Sequence, residues 1–420
     1  MTNSPDHVPS ILGIGIAVPE HLVEQAKAGE RMASALRGDP ESARFAKRIF
    51  RTCGVDTRYT CEPNLLEDPP YCRYAPGSLA PPPTTAERMK VYEKHALPLA
   101  ALAAQRALAC SSVHPESITH LITVSCTGQY VPGLDAELVH RLLLPMSVTR
   151  IPVIFTGCAA GLAAINLARR IAASDPEARV LVVSVELCTI HIQPSRDREQ
   201  LVAASFFGDG ASSCVIGSAD GRQRPRIALH ESRTLLLRDS AQDMTWRVGD
   251  FGFELYLSPN VPRLIGGAIR DHVRTYLESA RAERWAIHPG GRAILDTVRD
   301  TLGLPEEAIA SSRRILRNFG NMSSATILFV MADMMDAFLA SGESSSPGVA
   351  MAFGPGLTVE MATFTCVRGE QPFSWFVPDR NDRSRERSFS ERGEGEDLMY
   401  ARTSADGGGS RLDRSEVGAN

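Results

Sequence analysis

A thiol, an imidazole and a carboxamide each stand in this chain where an apolar run breaks into small residues. Cys158 follows "RIPVIFTG" and precedes Ala159, Ala160 and Gly161. His288 ends the run "WAI" and is followed by Pro289, Gly290 and Gly291, while Asn321 lies in "FGNMSS". The pattern after Cys158 predicts a helix start, where unpaired N–H groups and the helix dipole favour an anion. A thiol so placed is predicted to have a lowered pKa and to react as thiolate. The small residues behind it let a substrate or a second backbone come close. Pro-Gly-Gly ends a strand and leaves the imidazole at its tip. Alone, each residue also fits a structural role: Cys158 filling a small hole, His288 as a satisfied core histidine, Asn321 as a helix N-cap. Together they suit acyl chemistry. The cysteine takes the acyl group with histidine holding the thiolate as an ion pair, and histidine and asparagine donate to a thioester oxygen as it becomes an enolate.

The elements that must position them alternate between strand and helix, which predicts an α/β architecture. "SILGIGIAVPEH" reads as an opening strand, 24–50 as a charged helix, and 66–85 as a proline-rich loop without regular structure. A helix over 86–108, a strand over 120–128 and a helix over 135–144 lead to the Cys158 junction. Strands over 179–187 and 211–218 close the first half. The second half reads as a strand over 226–237, an irregular segment to about 258 and a helix over 261–283. Beyond His288 come helices over 291–301 and 323–340, then a hairpin turned on Gly354-Pro355-Gly356. "FTGCAAGLAAINLARRI" and "NFGNMSSATILFVMADMM" share one order of loop, glycine, functional residue, small residues and helix. That echo suggests two related halves, 1–222 and 223–368, presenting one side chain each. Residues 369–420 are charged and Gly/Ser-rich and are expected to be a disordered tail.

Composition narrows the function classes. The 420 residues are 43% hydrophobic, enough for a large core, and a net charge of −4 gives no case for nucleic acid or anionic membrane. Nine cysteines with no C-x-x-C pair point to a reduced, cytoplasmic protein without a disulfide framework or zinc ribbon. The N-terminus lacks the basic and apolar regions of a signal peptide. The apolar run Ala325–Met335 is too short and interrupted to span a bilayer. "GIGIAVP" has no third glycine and no later acidic partner, so it reads as strand interior rather than a dinucleotide loop.

"GCAAGLAAINLA", "FFGDGASSCVIG", "IHPGGRAILD", "NFGNMSSATILFV" and "FGPGLTVE" stand in this order across residues 10–366. In that order and spacing the sequence resembles the type III polyketide synthases, the chalcone synthase-like branch of the thiolase superfamily. The resemblance implies a thiolase-like αβαβα fold of two similar halves, normally a homodimer, with Cys158, His288 and Asn321 as catalytic triad. It implies acyl-CoA as starter and malonyl-CoA as extender, decarboxylated to an enolate that attacks the acyl-cysteine, with no metal or organic cofactor. Phe207 matches the first of two gating phenylalanines. Leu255 stands at the second and suggests a roomier or more aliphatic passage. Cys126 and His191 fall on cavity-lining positions, although Cys126 fits a strand-end cysteine equally well. Arg58 matches a CoA-contacting arginine, with a plain surface arginine as the other reading, and the backbone at Ala293 is a second CoA match. "VELCTIHIQ", "WRVGDFGFELYLS" and "SCTG" look most like bacterial alkylresorcinol and alkylpyrone synthases that use long-chain acyl starters. The same three residue types also fit a ketoacyl-ACP synthase III-like enzyme, a cysteine hydrolase, or a catalytically silent partner that keeps the fold as a scaffold.

Overall fold

The computed structural model describes residues 8–219 and 224–370. The expected tail beyond residue 370 lies outside them. In chain order the first half contains β1 (Pro9–Ala17), β2 (His21–Glu24), α1 (Gln25–Ala35), α2 (Pro40–Thr52), β3 (Thr57–Thr60), α3 (Thr85–Ser111) and β4 (His120–Ser125). It continues through α4 (Leu134–Arg141), β5 (Thr149–Ile154), α5 (Ala160–Ser174), β6 (Arg179–Leu187), α6 (Arg198–Phe206) and β7 (Asp209–Ser218). The second half contains β8 (Arg226–Leu236), β9 (Met244–Gly249), β10 (Gly252–Leu257), α7 (Val261–Ala268), α8 (Arg274–Ser279) and β11 (Arg284–Ile287). It ends with α9 (Arg292–Leu302), α10 (Ala310–Phe319), α11 (Thr326–Ser341), β12 (Ser345–Gly354) and β13 (Thr358–Val367).

Nine strands form one sheet in the order β11-β12-β13-β8-β1-β7-β6-β4-β5. Its middle joint, β8 to β1, is antiparallel and pairs Ile11 with Ile227. On either side the topology repeats. In the first half β4, β5 and β6 are parallel and β7 runs against them and against β1. In the second β11 and β12 are parallel and β13 runs against β12 and β8. The order β5-β4-β6-β7-β1 is thus repeated as β11-β12-β13-β8, with α10 standing in sequence where a fifth strand would be. The echo around Cys158 and Asn321 falls at matching places in the two repeats. Each residue sits between the end of α10 or β5 and the following helix.

The strands read as continuous apolar runs because both faces are covered. Val180 and Val182 of β6 pack into one core with α5 and α11, and Leu181, Val183 and Val185 into another with α3 and α4. In the second half Ala350 and Ala352 of β12 face the α5/α11 core, while Val349, Met351 and Phe353 face α7, α9 and α10. With the two halves of the one nine-stranded sheet counted as separate layers, the order is helix, sheet, helix, sheet, helix, with α5 and α11 in the middle. That is the thiolase-like arrangement.

Some elements differ from the sequence expectation. The helix expected over 24–50 is two, broken where Asp39 caps α2 by accepting the Ser42 N–H at 3.2 Å and Pro40 takes the first helical position. The segment read as irregular is the β9–β10 hairpin. The helix over 261–283 carries a wide turn at Ile269–Val273 between α7 and α8. The apolar run near residue 330 is longer than expected. Ser323–Ser341, 19 residues, is long and apolar enough to cross a membrane by length and composition, but it is mostly buried within the protein. An all-round apolar helix is what a position between two sheets requires.

Candidate active site

The chain leaves β5 at Ile154 and turns through Gly157 at φ +74°. A Cβ there would lie 2.1 Å from Pro355 Cδ, so the Gly354-Pro355-Gly356 turn seats directly on the cysteine turn. Cys158 occupies a single tight turn, Gly157–Ala159, leading into α5. Gly161 behind it allows the Ser324 carbonyl to approach; an added Cβ would be 2.1 Å from that oxygen. The small residues after the cysteine thus admit a second backbone, the one bearing Asn321.

Asn321 is fixed at both ends. Its N–H donates to the Phe206 carbonyl at 2.8 Å, and its own carbonyl accepts the Gly208 N–H at 3.0 Å. Its Oδ1 accepts the Ser323 N–H at 2.8 Å, which fixes the amide. The side chains of Asn321 and Ser323 both hydrogen-bond the Cys158 sulfur. His288 follows β11, and its N–H donates to the Met351 carbonyl at 2.8 Å. Its ring is fully buried, and neither Nδ1 nor Nε2 has a hydrogen-bond partner.

All three side chains line one cavity enclosing about 700 Å³ of empty space, mouth included. Cys126, Thr127, Cys188, Phe207, Met244, Trp246, Leu255, Ile265 and Phe353 are among its other walls. Among the described residues no carboxylate, and no basic side chain other than His288, lines it. An apolar chamber of this size suits an organic substrate.

The electrostatics correct one expectation. Burial pushes the Cys158 thiol up to about 11, although the Ser323 and Asn321 hydrogen bonds pull it down. Burial alone presses His288 down to about 3. Desolvation outweighs the helix start because both groups sit in a dry chamber. Burial thus favours a thiol beside a neutral imidazole over a thiolate–imidazolium pair.

The other candidate residues divide. Phe207, Leu255 and Cys126 line the cavity. His191 does not. It stands behind the wall, where Nε2 pairs with the Thr127 carbonyl at 2.6 Å, Nδ1 accepts the Phe253 N–H at 2.9 Å, and the ring stacks on Phe253. Arg58 is not at the mouth either. It is 3% exposed, and Nη1 donates to the Phe207 carbonyl at 2.7 Å. Ala293 lies exposed at the start of α9, beside the lining residues Gly290 and Ile294. Among the described residues no group of three His, Cys, Asp or Glu side chains is arranged to hold a metal ion.

Trp246 is the wall residue the sequence reading missed. It pairs with Leu255 across the β9–β10 hairpin, and its Nε1 donates to the Cys126 carbonyl at 2.7 Å. The aromatic ring absent at Leu255 is thereby supplied from the opposite strand. Alternation in Met244-Thr245-Trp246 and Phe253-Glu254-Leu255 was the available signal. Glu186 was also missed. Buried at the end of β6, it accepts the Cys126 N–H at 3.0 Å and hydroxyls of Thr127 and Ser324, tying the two halves together behind the cavity.

The N-terminal domain family of chalcone and stilbene synthases matches residues 4–220, and the corresponding C-terminal domain family matches 228–368. The chain is 31% identical over 372 residues to an alpha-pyrone synthesis polyketide synthase-like protein, Pks18, of Mycobacterium tuberculosis, covering 87% of this chain and 93% of that one. It is 32% identical over 361 residues to type III polyketide synthase 21 of Oryza sativa subsp. japonica, covering 83% and 92%. Among solved structures, the C-terminal type III polyketide synthase domain of Steely1 from Dictyostelium matches with TM-score 0.78 at 28% identity, covering 86% of this chain and 99% of that one. PKS-I of the brown alga Ectocarpus siliculosus matches with TM-score 0.79 at 26% identity, covering 87% and 100%.

Proposed function

Because the chain belongs to the chalcone and stilbene synthase family, the type III polyketide synthases, we propose that it extends an aliphatic acyl starter with malonyl-CoA and closes the product to an alkylpyrone or alkylresorcinol. The observation that carries this reading is the convergence of Cys158, His288 and Asn321 on one apolar chamber. Walls of leucine, isoleucine, methionine and phenylalanine favour a long alkyl chain over a polar or charged starter. The likeness to a protein named for alpha-pyrone synthesis supports the same product class.

In the loading step Cys158 gives its proton to an unpartnered nitrogen of His288 as the sulfur attacks the acyl-CoA carbonyl. The CoA sulfur leaves and takes that proton from the imidazolium. Malonyl-CoA then enters with its thioester oxygen facing His288 and Asn321. The carboxylate C–C bond breaks, CO2 departs, and the electron pair becomes an enolate whose oxygen accepts from both side chains. Such donors stabilise developing charge most in a dry site. The enolate carbon attacks the acyl carbonyl and the C–S bond to Cys158 breaks, giving a lengthened β-ketoacyl-CoA; the freed Cys158 sulfur then attacks that thioester, its C–S bond to CoA breaks, and CoA leaves as the thiol. A neutral imidazole has one bare nitrogen to accept the thiol proton and one N–H to donate. The reaction needs no metal or organic cofactor.

With Arg58 buried, CoA phosphates fall to exposed arginines near Ala293. Arg292 starts α9, and a Cβ added at Gly54, three residues after exposed Arg51, would lie 3.5 Å from the Arg292 Cβ. A homodimer would use the free edge of the sheet. β5 is the last strand, and Ile154, Val131, Leu143 and Met146 are all exposed, Val131 at 96%. An apolar edge of this kind calls for a covering partner. Free cysteines and CoA-ester substrates fit a cytoplasmic setting.

The test is incubation with malonyl-CoA and a panel of short, aromatic and long-chain acyl-CoAs, with products identified by mass spectrometry. Alkylpyrones or alkylresorcinols from long-chain starters are expected, and none from Cys158→Ala. Turnover of aromatic starters alone would overturn the starter assignment, and polyketide from Cys158→Ala would overturn the nucleophile.

A further inference from the structure

A second cavity lies between α1, α2, β3 and the loop that follows β3, enclosing about 540 Å³. Its walls are mostly apolar, with Ala28, Met32, Phe50, Leu65 and Ile192 among them. Two cations, Arg31 and Arg58, and one carboxylate, Glu67, line it. Arg31, half-buried, reaches Asp68 at 3.3 Å. Arg58 is different. It is buried, and among the described residues no carboxylate forms an ion pair with it. Nη1 is satisfied by the Phe207 carbonyl, but Nε is buried without a partner. The buried carboxylate of Asp209 acts on Arg58 through its charge, but its oxygens are taken by the N–H of Cys61 and by the N–H and hydroxyl of Thr189. A buried cation is costly unless an anion meets it. Its unused N–H edge suits the fork of a carboxylate.

We infer that this cavity is a binding site for a medium-chain carboxylate, whose head meets the Nε edge of Arg58 and whose tail lies against Ala28, Met32 and Phe50. An anion without a tail would leave the apolar walls bare, and a tail without charge would leave the Nε edge of Arg58 without an acceptor. The site is separate from the chamber holding Cys158, because the two cavities share no lining residue. They are nevertheless adjacent. Arg58 Nη1 holds the Phe207 carbonyl, and its Cβ lies within van der Waals reach of any Cβ placed at Gly208 or Gly320, the glycines flanking Phe207 and Asn321. An acid docked on Arg58 therefore touches the residue that fixes the wall of the catalytic chamber.

The experiment is isothermal titration of the full chain with decanoate, with decanol as the uncharged body, and with inorganic phosphate as the bodiless anion. Saturable decanoate binding is expected, with decanol at least about tenfold weaker and phosphate undetectable. Arg58→Gln is expected to weaken decanoate at least about tenfold. Since that variant removes a buried hydrogen bond, Ala28→Trp provides an independent check. It fills the cavity from α1 while keeping Arg58, and should abolish binding with polyketide formation unchanged. Decanoate binding that survives Ala28→Trp, or is lost instead in the chamber-filling variant Leu255→Trp, would overturn the site. Equal binding of decanol, binding of phosphate alone, or no decanoate binding would overturn the ligand class.

Discussion

Gly157→Ala is the sharpest perturbation this structure offers, because one methyl group meets two separate obstacles. The backbone at Gly157 is left-handed, with φ +74°, a conformation that costs an ordinary L-residue about 1–2 kcal/mol. The new Cβ would also lie 2.1 Å from Pro355 Cδ. That atom belongs to a rigid ring in a turn and cannot swing aside, so overpacking adds about 1–3 kcal/mol. The expected total is about 4 kcal/mol, read as a lowered urea midpoint. Relief requires the Cys158 turn to shift, and a displacement of about 1 Å at the nucleophile costs about a hundredfold in kcat. Pro355→Ala separates the terms in a double-mutant cycle. It removes the ring, so Gly157→Ala in that background should cost only the backbone share, about 1–2 kcal/mol. A Gly157→Ala variant with an unchanged midpoint and kcat, or a double variant no better than the single, would refute the reasoning.

Three further outcomes follow from the site. His288 is held neutral to about pH 3 against 6.5 in an unfolded chain, so its contribution is present above pH 6.5 and lost as pH falls. Wild-type unfolding free energy should therefore drop by about 1.4 kcal/mol per pH unit below that point relative to His288→Gln, as read from urea titrations; parallel curves would contradict the burial argument. Trp246→Ala removes the ring opposite Leu255 and its bond to the Cys126 carbonyl, so products analysed by mass spectrometry should shift to longer chains, with about 3 kcal/mol of stability lost. An unchanged product profile would remove Trp246 from the wall that limits the chain. Val131→Asp places a charge on the exposed apolar edge and should weaken self-association at least about tenfold by light scattering; an unaltered association constant would place the interface elsewhere.

The legible part of the site was the part carried by junctions. Cys158, His288 and Asn321 each end an apolar run before small residues, and that is visible in one dimension. The repeat of strand order behind Cys158 and Asn321 left a trace in two short segments because the backbone must turn alike at both. The family match displaces the ketoacyl-ACP synthase and hydrolase readings, which the three residue types alone left open. Burial was less legible. Arg58 reads as any surface arginine, and only packing against Phe207 and Gly320 shows it is interior. The thiol of Cys158 was misjudged for the same reason: a helix start can be seen in sequence, whereas the dryness of the chamber that outweighs it cannot. The β9–β10 hairpin was overlooked because Gly249 and Gly252 with charged residues between alternating apolar ones read as loop, which hid Trp246. His191 was placed in the wall when it supports the wall from behind, a displacement of one layer that sequence position does not encode.

Three cysteines, Cys126, Cys158 and Cys188, line the same chamber, and the account assigns the acyl group to only one. Incubating the protein with decanoyl-CoA alone, quenching in acid and mapping the peptides by mass spectrometry reads that assignment directly. A single decanoyl adduct on the peptide bearing Cys158, absent in Cys158→Ala, is the predicted result. An adduct on Cys126 or Cys188, or no adduct at all, would contradict it.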